Sequence, residues 1–351
     1  MANRRFYANF AAGFESVIGG LVEQSLPGCA IASVSGGMVL FDCAYPCERV
    51  AAIPFFNNSF LVLREWESNS IDFPALIKGA AGTKFGPLAK EPLDAARAKT
   101  FRVRYSRQNQ FCPVDKAFMA KAEQSIAAQT GLTPDRLTPD AEFWFIIRSE
   151  RLSFFALCLT KKQSTEKYLE KGELRPEIAT LLAALAGANS NDRVICDPFA
   201  GHGALPECLA ELCPSSRILV SDLSADLSKV LTARFSSRQN VTVRQCDALK
   251  LGHIESRSVD LVLTDPPWGF WDGDAYSGEK SVSFLYRGML AEFERILRAG
   301  GRACVLTGAK AEFEEAVRAS TSFAWCADEK GFRTDVLVNG KKSAAFRLTA
   351  R

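Results

Sequence analysis

In the second half of the chain, short apolar runs alternate with segments of helical periodicity. RVICDPF (193–199), RILVSD (217–222), VTVRQCD (241–247), SVDLVLTDPP (258–267) and RACVLTG (302–308) read as strands. ALPECLAELC, LSKVLTARF, SFLYRGMLAEFERILRAGG and AEFEEAVRAS between and after them read as helices. PEIATLLAALAG (176–187) precedes the series, with proline in its first turn and glycine at its end, the usual asymmetry of a helix. Strands alternating with helices predict a doubly wound, mostly parallel α/β sheet. The first half is a different mixture. FYANF (6–10), MVLFDC (38–43) and FRVRYSR (101–107) read as strands, and GFESVIGGLVEQSL (13–26) and VDKAFMAKAEQSIAAQTG (114–131) as helices. EFWFIIRS (142–149) and LSFFALCLT (152–160) read as a hairpin turning at Glu150 and Arg151. Residues 68–98, rich in Gly, Pro and Ala, read as loop, and the polar run KKQSTEKYLEKGE (161–173) as a linker.

Charge adds to this picture only through its distribution. Residues 1–165 hold 19 Lys and Arg against 15 Asp and Glu, a net of +4, and the remainder holds 24 against 25, a net of −1. Within the first part RAKTFRVRYSR (97–107) has five cations and no acid. The run is a modest footprint for a polyanion or a solvated strand edge. Eleven cysteines sit mostly in apolar elements, as small hydrophobes do. The close pairs Cys43/Cys47 and Cys208/Cys213 lack a second pair at zinc spacing, so reduced thiols without a metal are expected. No apolar stretch is long enough to span a bilayer, and the start MANRRFYANFAAGF lacks a secretory h-region. A cytoplasmic protein, monomeric or weakly dimeric, is the expectation.

In such sheets ligands bind beyond the carboxyl ends of the strands. The first strand ends in DPFAGHGALP (197–206), where Gly201 and Gly203 permit close backbone approach and Asp197 suits a cationic ligand better than a pyrophosphate. The second ends in Asp222, placed to accept ribose hydroxyls. The third ends in Asp247, placed to accept from an adenine amine with the Ala248 N–H beside it, and the fourth in Asp265. Capping of the following helices explains one or two such acids, not four with glycines after the first and Pro-Pro-Trp after the last. A nucleoside carrying positive charge, S-adenosylmethionine, fits all four.

DPFAGHG, SDLS, QCDAL and TDPPWG resemble the motifs of class I methyltransferases acting on exocyclic amines. LRPEIATLLAALAG just before DPFAGHG resembles the THUMP-domain guanine-N2 RNA methyltransferases, chiefly those acting on tRNA. FYANFAAGFESVIGGLVEQ resembles that family's ferredoxin-like module, and FRVRYSRQNQ through FALCLTKK resembles THUMP. His202 and Ala204 depart from the family's usual Ser or Thr. The resemblance implies a ferredoxin-like module over 1–98, a THUMP RNA-binding domain over 99–162, a linker over 163–175 and a Rossmann-like methyltransferase domain over 176–351. It implies a cofactor site of Asp197, Pro198, Phe199, Ala200, Gly201, Gly203, Asp222, Leu223, Asp247, Ala248 and Asp265. It implies tRNA or another structured RNA as partner, with Arg102, Arg104 and Arg107 in the basic run gripping it.

DPPW then has a chemical reading. A guanine N2 amine has its lone pair delocalised into the ring. Asp265 and the Pro266 carbonyl can each accept one amine hydrogen, aiming the lone pair at the methyl, while Pro266 and Pro267 hold these acceptors convergent. Trp268 offers a stacking face to an extruded base. An adenine-N6 or cytosine-N4 acceptor fits the same motif, and a catalytically inactive RNA-binding subunit is the reading from another class.

Overall fold

The computed structural model describes residues 3–68, 71–160, 169–170, 173–269, 279–320, 323–324, 332–338 and 340–351. The chain divides into two compact units, residues 1–10 with 18–163 and residues 11–17 with 164–351.

The first unit carries β1 (Arg4–Asn9), α1 (Glu15–Ser25), β2 (Ala30–Ser35), β3 (Met38–Cys43), α2 (Cys47–Ala51), β4 (Asn58–Glu67), α3 (Phe73–Ala81), α4 (Gly86–Ala95), β5 (Thr100–Arg107), β6 (Gln110–Phe111), α5 (Lys116–Thr130), β7 (Thr133–Pro134), β8 (Ala141–Ile147) and β9 (Leu152–Cys158). Its strands form one sheet in the order β2-β3-β1-β4-β9-β8-β5-β6, with β7 paired to β5. The sheet is continuous through β4 and β9, whose register runs from Phe60 opposite Cys158 to Glu67 opposite Leu152. Residues 68–98 are not the expected loop but hold α3 and α4. Asp72 caps α3 by accepting the Ala75 N–H at 2.9 Å, and both helices have proline in the first turn, where no N–H is needed. The glycine that reads as a breaker, Gly79, lies inside α3 because a Cβ there would stand 2.9 Å from the Trp66 ring. Most of the linker expected over 163–175 lies outside the described residues.

The second unit carries α6 (Pro176–Leu185), β10 (Val194–Asp197), α7 (Ala204–Leu212), β11 (Arg217–Asp222), α8 (Ala225–Arg234), β12 (Val241–Gln245), β13 (Val259–Thr264), α9 (Glu279–Ile296), β14 (Leu297–Thr307), α10 (Lys310–Ala319), β15 (Phe323–Ala324), β16 (Arg333–Val338) and β17 (Lys341–Ala350). The sheet order is β12-β11-β10-β13-β14-β17-β15, with β16 on β17. β10 to β14 are mutually parallel and β17 is antiparallel to β14. All six residues of β13 are buried, as expected of a central parallel strand covered on both faces. α9 buries Val282, Leu285, Tyr286, Met289, Leu290, Phe293 and Ile296, the three-and-four spacing of one helix face. The chain order reverses beside β10. The carboxyl ends of β10, β11, β12 and β13 therefore converge at the switch point where open α/β sheets bind ligands.

Candidate active site at the carboxyl ends of the parallel strands

Three of the four strand-end carboxylates share one local geometry. Asp197 Oδ1 accepts the Phe199 N–H at 3.2 Å, Asp222 Oδ1 the Ser224 N–H at 2.9 Å, and Asp247 Oδ1 the Leu249 N–H at 2.9 Å. Each is a carboxylate bonded to the backbone two residues on. None caps a helix, because Gly203 occupies the N-cap of α7 and the Ser224 hydroxyl caps α8. Asp265 departs from this pattern for a covalent reason. Two residues on stands Pro267, which has no N–H to give. Its Oδ1 instead accepts the Trp268 indole N–H at 2.8 Å. The Pro-Pro pair thus frees this carboxylate from the local turn, and the indole fixes it.

Asp197 is 1% exposed. Its Oδ1 also accepts the Thr264 hydroxyl at 2.7 Å, while its Oδ2 is buried without a partner. Burial, with the neighbouring Asp265 and Asp222 adding repulsion, pushes its carboxyl up to about 7 despite the bonds from Thr264 and Phe199. Burial likewise raises Asp265 to about 7, opposed by the Trp268 bond. A buried carboxylate oxygen lacking a donor is costly to ionise unless positive charge meets it. That is the fit expected for a ligand carrying a sulfonium and an α-ammonium.

The glycine loop between β10 and α7 is built for close approach. Gly201 and Gly203 adopt φ of +52° and +95°. A Cβ on Gly203 would lie 3.0 Å from both Leu231 and Phe235, whereas one on Gly201 meets nothing within 4 Å, so the space beside Gly201 is open. The Gly201 N–H donates to Asp222 Oδ2 at 3.0 Å and the Ala200 N–H to the Ser221 carbonyl at 3.0 Å, tying this loop to the end of β11. Asp222 is half-buried, and its carboxylate keeps lone pairs beyond those taken by the Gly201 and Ser224 N–H groups. Leu223 beside it is 49% exposed, an apolar surface available to a base, and Ala248 is buried at the end of β12. Phe199 packs partly buried against the core cluster beneath the sheet. Pro198 lies between Asp197 and Phe199 in the same loop.

Other members of the site were not legible as such. Arg234 on α8 donates to the His202 carbonyl at 2.6 Å and pairs with Glu207 and Glu173, clamping the glycine loop from outside. Tyr286 and Thr307 meet beneath the Pro-Pro segment, the Tyr286 hydroxyl lying 3.2 Å from the Pro267 carbonyl. A polar Thr264 closing an apolar strand was a visible signal; Arg234 and Tyr286 had none, because their partners are 32 and 19 residues away in sequence.

The three arginines expected to act together are not together. Alternation along β5 puts Arg102 and Arg104 on one face, where Arg102 Nε donates to Glu142 at 2.6 Å and Arg104 lies 3.9 Å from the same carboxylate. Arg107 lies on the other face with Tyr105, and both contact Phe73 of α3. A neighbouring cavity of about 350 Å³ is lined by Arg107, Gln108, Arg148, Ser149, Arg151 and Asp72, among others. Arg148 is committed to Glu150, Asn109 and the Gly36 carbonyl, whereas the Arg151 side chain takes no acid among the described residues. The ten cysteines described have free thiols, no three metal-ligating side chains gather among the described residues, and no helix there is long and apolar enough to cross a membrane.

Residues 229–335 match the family described as RMKL-like, methyltransferase domain. A curated relative, the release factor glutamine methyltransferase of Streptomyces coelicolor, is 32% identical over 146 residues, covering 36% of this chain. The chain spans 51% of that relative's length. Among solved structures the whole chain resembles TrmN from Thermus thermophilus, with a TM-score of 0.79, 21% identity and full coverage of both chains. A possible methylase from Clostridium difficile 630 gives 0.71 at 13% identity, covering 100% of this chain and 99% of that one. The putative methyltransferase SMU.472, solved with S-adenosylhomocysteine, gives 0.68 at 13% identity with the same coverage. The second unit has the Rossmann-like methyltransferase fold.

Proposed function

We propose that this methyltransferase unit methylates the exocyclic N2 amine of a guanosine in RNA, most simply tRNA, held by the first unit. The observation that carries the reading is Asp265, freed by Pro-Pro and fixed by Trp268 at the end of the strand next to Asp197. S-adenosylmethionine supplies an electrophilic methyl on sulfur. Asp197, Asp222 and Asp247, with the loop Pro198 to Gly203, Leu223 and Ala248, are the groups that hold it. Asp265 accepts one amine hydrogen and the Pro266 carbonyl the other, and Asp265 stabilises the charge that develops on nitrogen. Trp268 presents its ring to the base. In the first unit, the ferredoxin-like module over 1–98 and the THUMP domain over 99–162 serve as the RNA grip.

The relative's name gives a second reading, in which the acceptor is a glutamine amide. It too is a conjugated –NH2 and fits the same two acceptors. The basic cavity of the first unit favours RNA. Nucleoside mass spectrometry of tRNA from a strain lacking the protein is expected to show loss of an N2-methylguanosine. Unchanged tRNA with an unmethylated release-factor glutamine supports the second reading instead.

Two further results are expected. Asp222→Ala removes acceptors for both the ribose and the Gly201 N–H. It should weaken S-adenosylhomocysteine binding by about tenfold or more, since a hydrogen bond to a charged group contributes roughly 1.5–3 kcal/mol; unchanged calorimetric affinity removes Asp222 from the site. For the RNA grip, Arg107→Ala with Arg151→Ala should weaken tRNA binding and flatten its dependence on log salt by about one to two. Arg102→Ala, already spent on Glu142, should do so much less. Equal effects of the two changes in a filter-binding salt series place the contact elsewhere.

A further inference from the structure

We propose that Tyr286 is a positioning residue for methyl transfer: its hydroxyl, oriented by Thr307, holds the Pro267 carbonyl and thereby sets the aim of the Asp265–Trp268 segment. The proposal rests on the reading of that segment as the acceptor site.

The segment after β13 has a structural deficit. Pro266 and Pro267 have no N–H groups, so two of the backbone donors that could close the turn carrying Asp265 are missing. Tyr286 stands on α9, wholly buried, with its ring packed edge-on to Phe313 at 5.4 Å. Its hydroxyl lies 3.2 Å from the Pro267 carbonyl oxygen and 2.6 Å from Thr307 Oγ1 at the end of β14. Thr307 Oγ1 accepts the Ala309 N–H at 3.0 Å.

These contacts have one arrangement that satisfies every group. A carbonyl only accepts, so the bond to Pro267 must come from Tyr286. The phenol has a single proton, so with that proton given to Pro267 the Tyr286 oxygen accepts, and among the described residues the hydroxyl bonded to it is Thr307. Thr307 accepts the Ala309 N–H and keeps its own proton, which it gives to Tyr286. The chain therefore runs Ala309 N–H to Thr307 O–H to Tyr286 O–H to Pro267 C=O, with one polarity. Burial keeps the phenol protonated, so the donor is not lost at physiological pH. The chain ends one residue from Trp268, whose indole N–H donates to Asp265. The acceptor carboxylate is thus held by the indole three residues on, and the proline between them is tied to α9 and the end of β14, as preorganised acceptors require.

The test uses the full chain with tRNA from a strain lacking the protein. Tyr286→Phe keeps the ring and removes the proton. Single-turnover methyl transfer should slow by about ten- to a hundredfold, the scale of a small misplacement of a reacting group. S-adenosylhomocysteine affinity and melting temperature should stay near those of the unchanged protein. Thr307→Val should reproduce much of the loss, Thr307→Ser should restore it, and the double variant Tyr286→Phe with Thr307→Val should be little worse than Tyr286→Phe. A normal rate for Tyr286→Phe overturns the proposal. So does a slow rate matched by equal losses of cofactor affinity and melting temperature, which marks packing alone. If Tyr286→Phe does not fold, the Thr307→Val and Thr307→Ser pair decides: equal rates overturn the proposal. Asp265→Ala run beside them separates the two ideas. An active Asp265→Ala sinks the acceptor-site reading, whereas an inactive one with a fast Tyr286→Phe sinks only the role of Tyr286.

Discussion

Asp265→Ala is expected to lower the single-turnover rate of methyl transfer by about 10²–10³-fold, with much smaller changes in the affinities for RNA and cofactor. The carboxylate meets the acceptor amine more strongly in the transition state than before it, because positive charge develops on nitrogen only as the new bond forms. An interaction of that kind appears in the rate and not in binding. Asp265→Asn keeps an oxygen able to accept both the Trp268 N–H and an amine hydrogen, and loses only the charge, so it should retain partial activity. Trp268→Phe is more informative than the sequence alone implies. It keeps a ring for stacking but removes the indole N–H that bonds Asp265 at 2.8 Å. Its rate should fall between those of Asp265→Asn and Asp265→Ala, and not stay near normal. Rapid-quench transfer with saturating RNA and cofactor gives these rates directly. A near-normal rate for Asp265→Ala would mean that this strand end is structural and the acceptor lies elsewhere.

Four of the five parallel strands of the second unit were legible because each is a short β-prone run that stops at an acid, and both the run and the stop are local. β10, β11, β12 and β13 end at Asp197, Asp222, Gln245 and Thr264, within two residues of the positions read from the pattern. The C-terminal hairpin of β16 and β17 went unread, although Asn339-Gly340 between two β-rich runs is a strong hairpin signal. Residues 68–98 were misread for the opposite reason. Their prolines and glycines look like breakers, and only the fold shows that α3 and α4 each take a proline in the first turn, that Pro92 lies inside α4 and that Gly79 packs against Trp66. Side-chain partnerships were the least legible. Alternation in β5 could have separated Arg107 from Arg102 and Arg104, since odd and even positions face opposite sides. Nothing local could have tied Arg102 to Glu142, Arg234 to the His202 carbonyl or Tyr286 to Pro267, because these bonds exist only after distant segments pack.

Cofactor affinity should depend on pH through Asp197, in a direction that the burial fixes. The carboxyl is raised to about 7, so in the free protein it is largely neutral at pH 6 and largely ionised at pH 8. A cationic ligand prefers the anion. S-adenosylmethionine should therefore bind more tightly as pH rises, with affinity falling toward tenfold per pH unit below about 7 and levelling above it. The stability of the cofactor-free protein should move the other way. A carboxyl raised on folding contributes stability that is complete below its unfolded value and is lost as pH rises toward 7. Asp265 is raised in the same sense and adds to the trend. The melting temperature of the free protein should thus decline from about pH 5 to pH 7.5, while the increment produced by the cofactor grows. Asp197→Asn can still accept from Thr264 and Phe199 through its oxygen but is never charged. It should bind the cofactor about 10- to 100-fold more weakly at pH 8, the scale of replacing a charged hydrogen-bond acceptor by a neutral one, and its affinity should no longer follow pH. Comparing the two nucleosides locates the positive charge that Asp197 meets. If it is the sulfonium, S-adenosylhomocysteine should show little of the pH dependence; if it is the α-ammonium, both ligands should show it equally. Calorimetric affinities flat between pH 6 and pH 8 for both ligands would remove Asp197 from contact with either charge. The unpartnered Oδ2 would then be a cost the fold carries without a ligand to offset it.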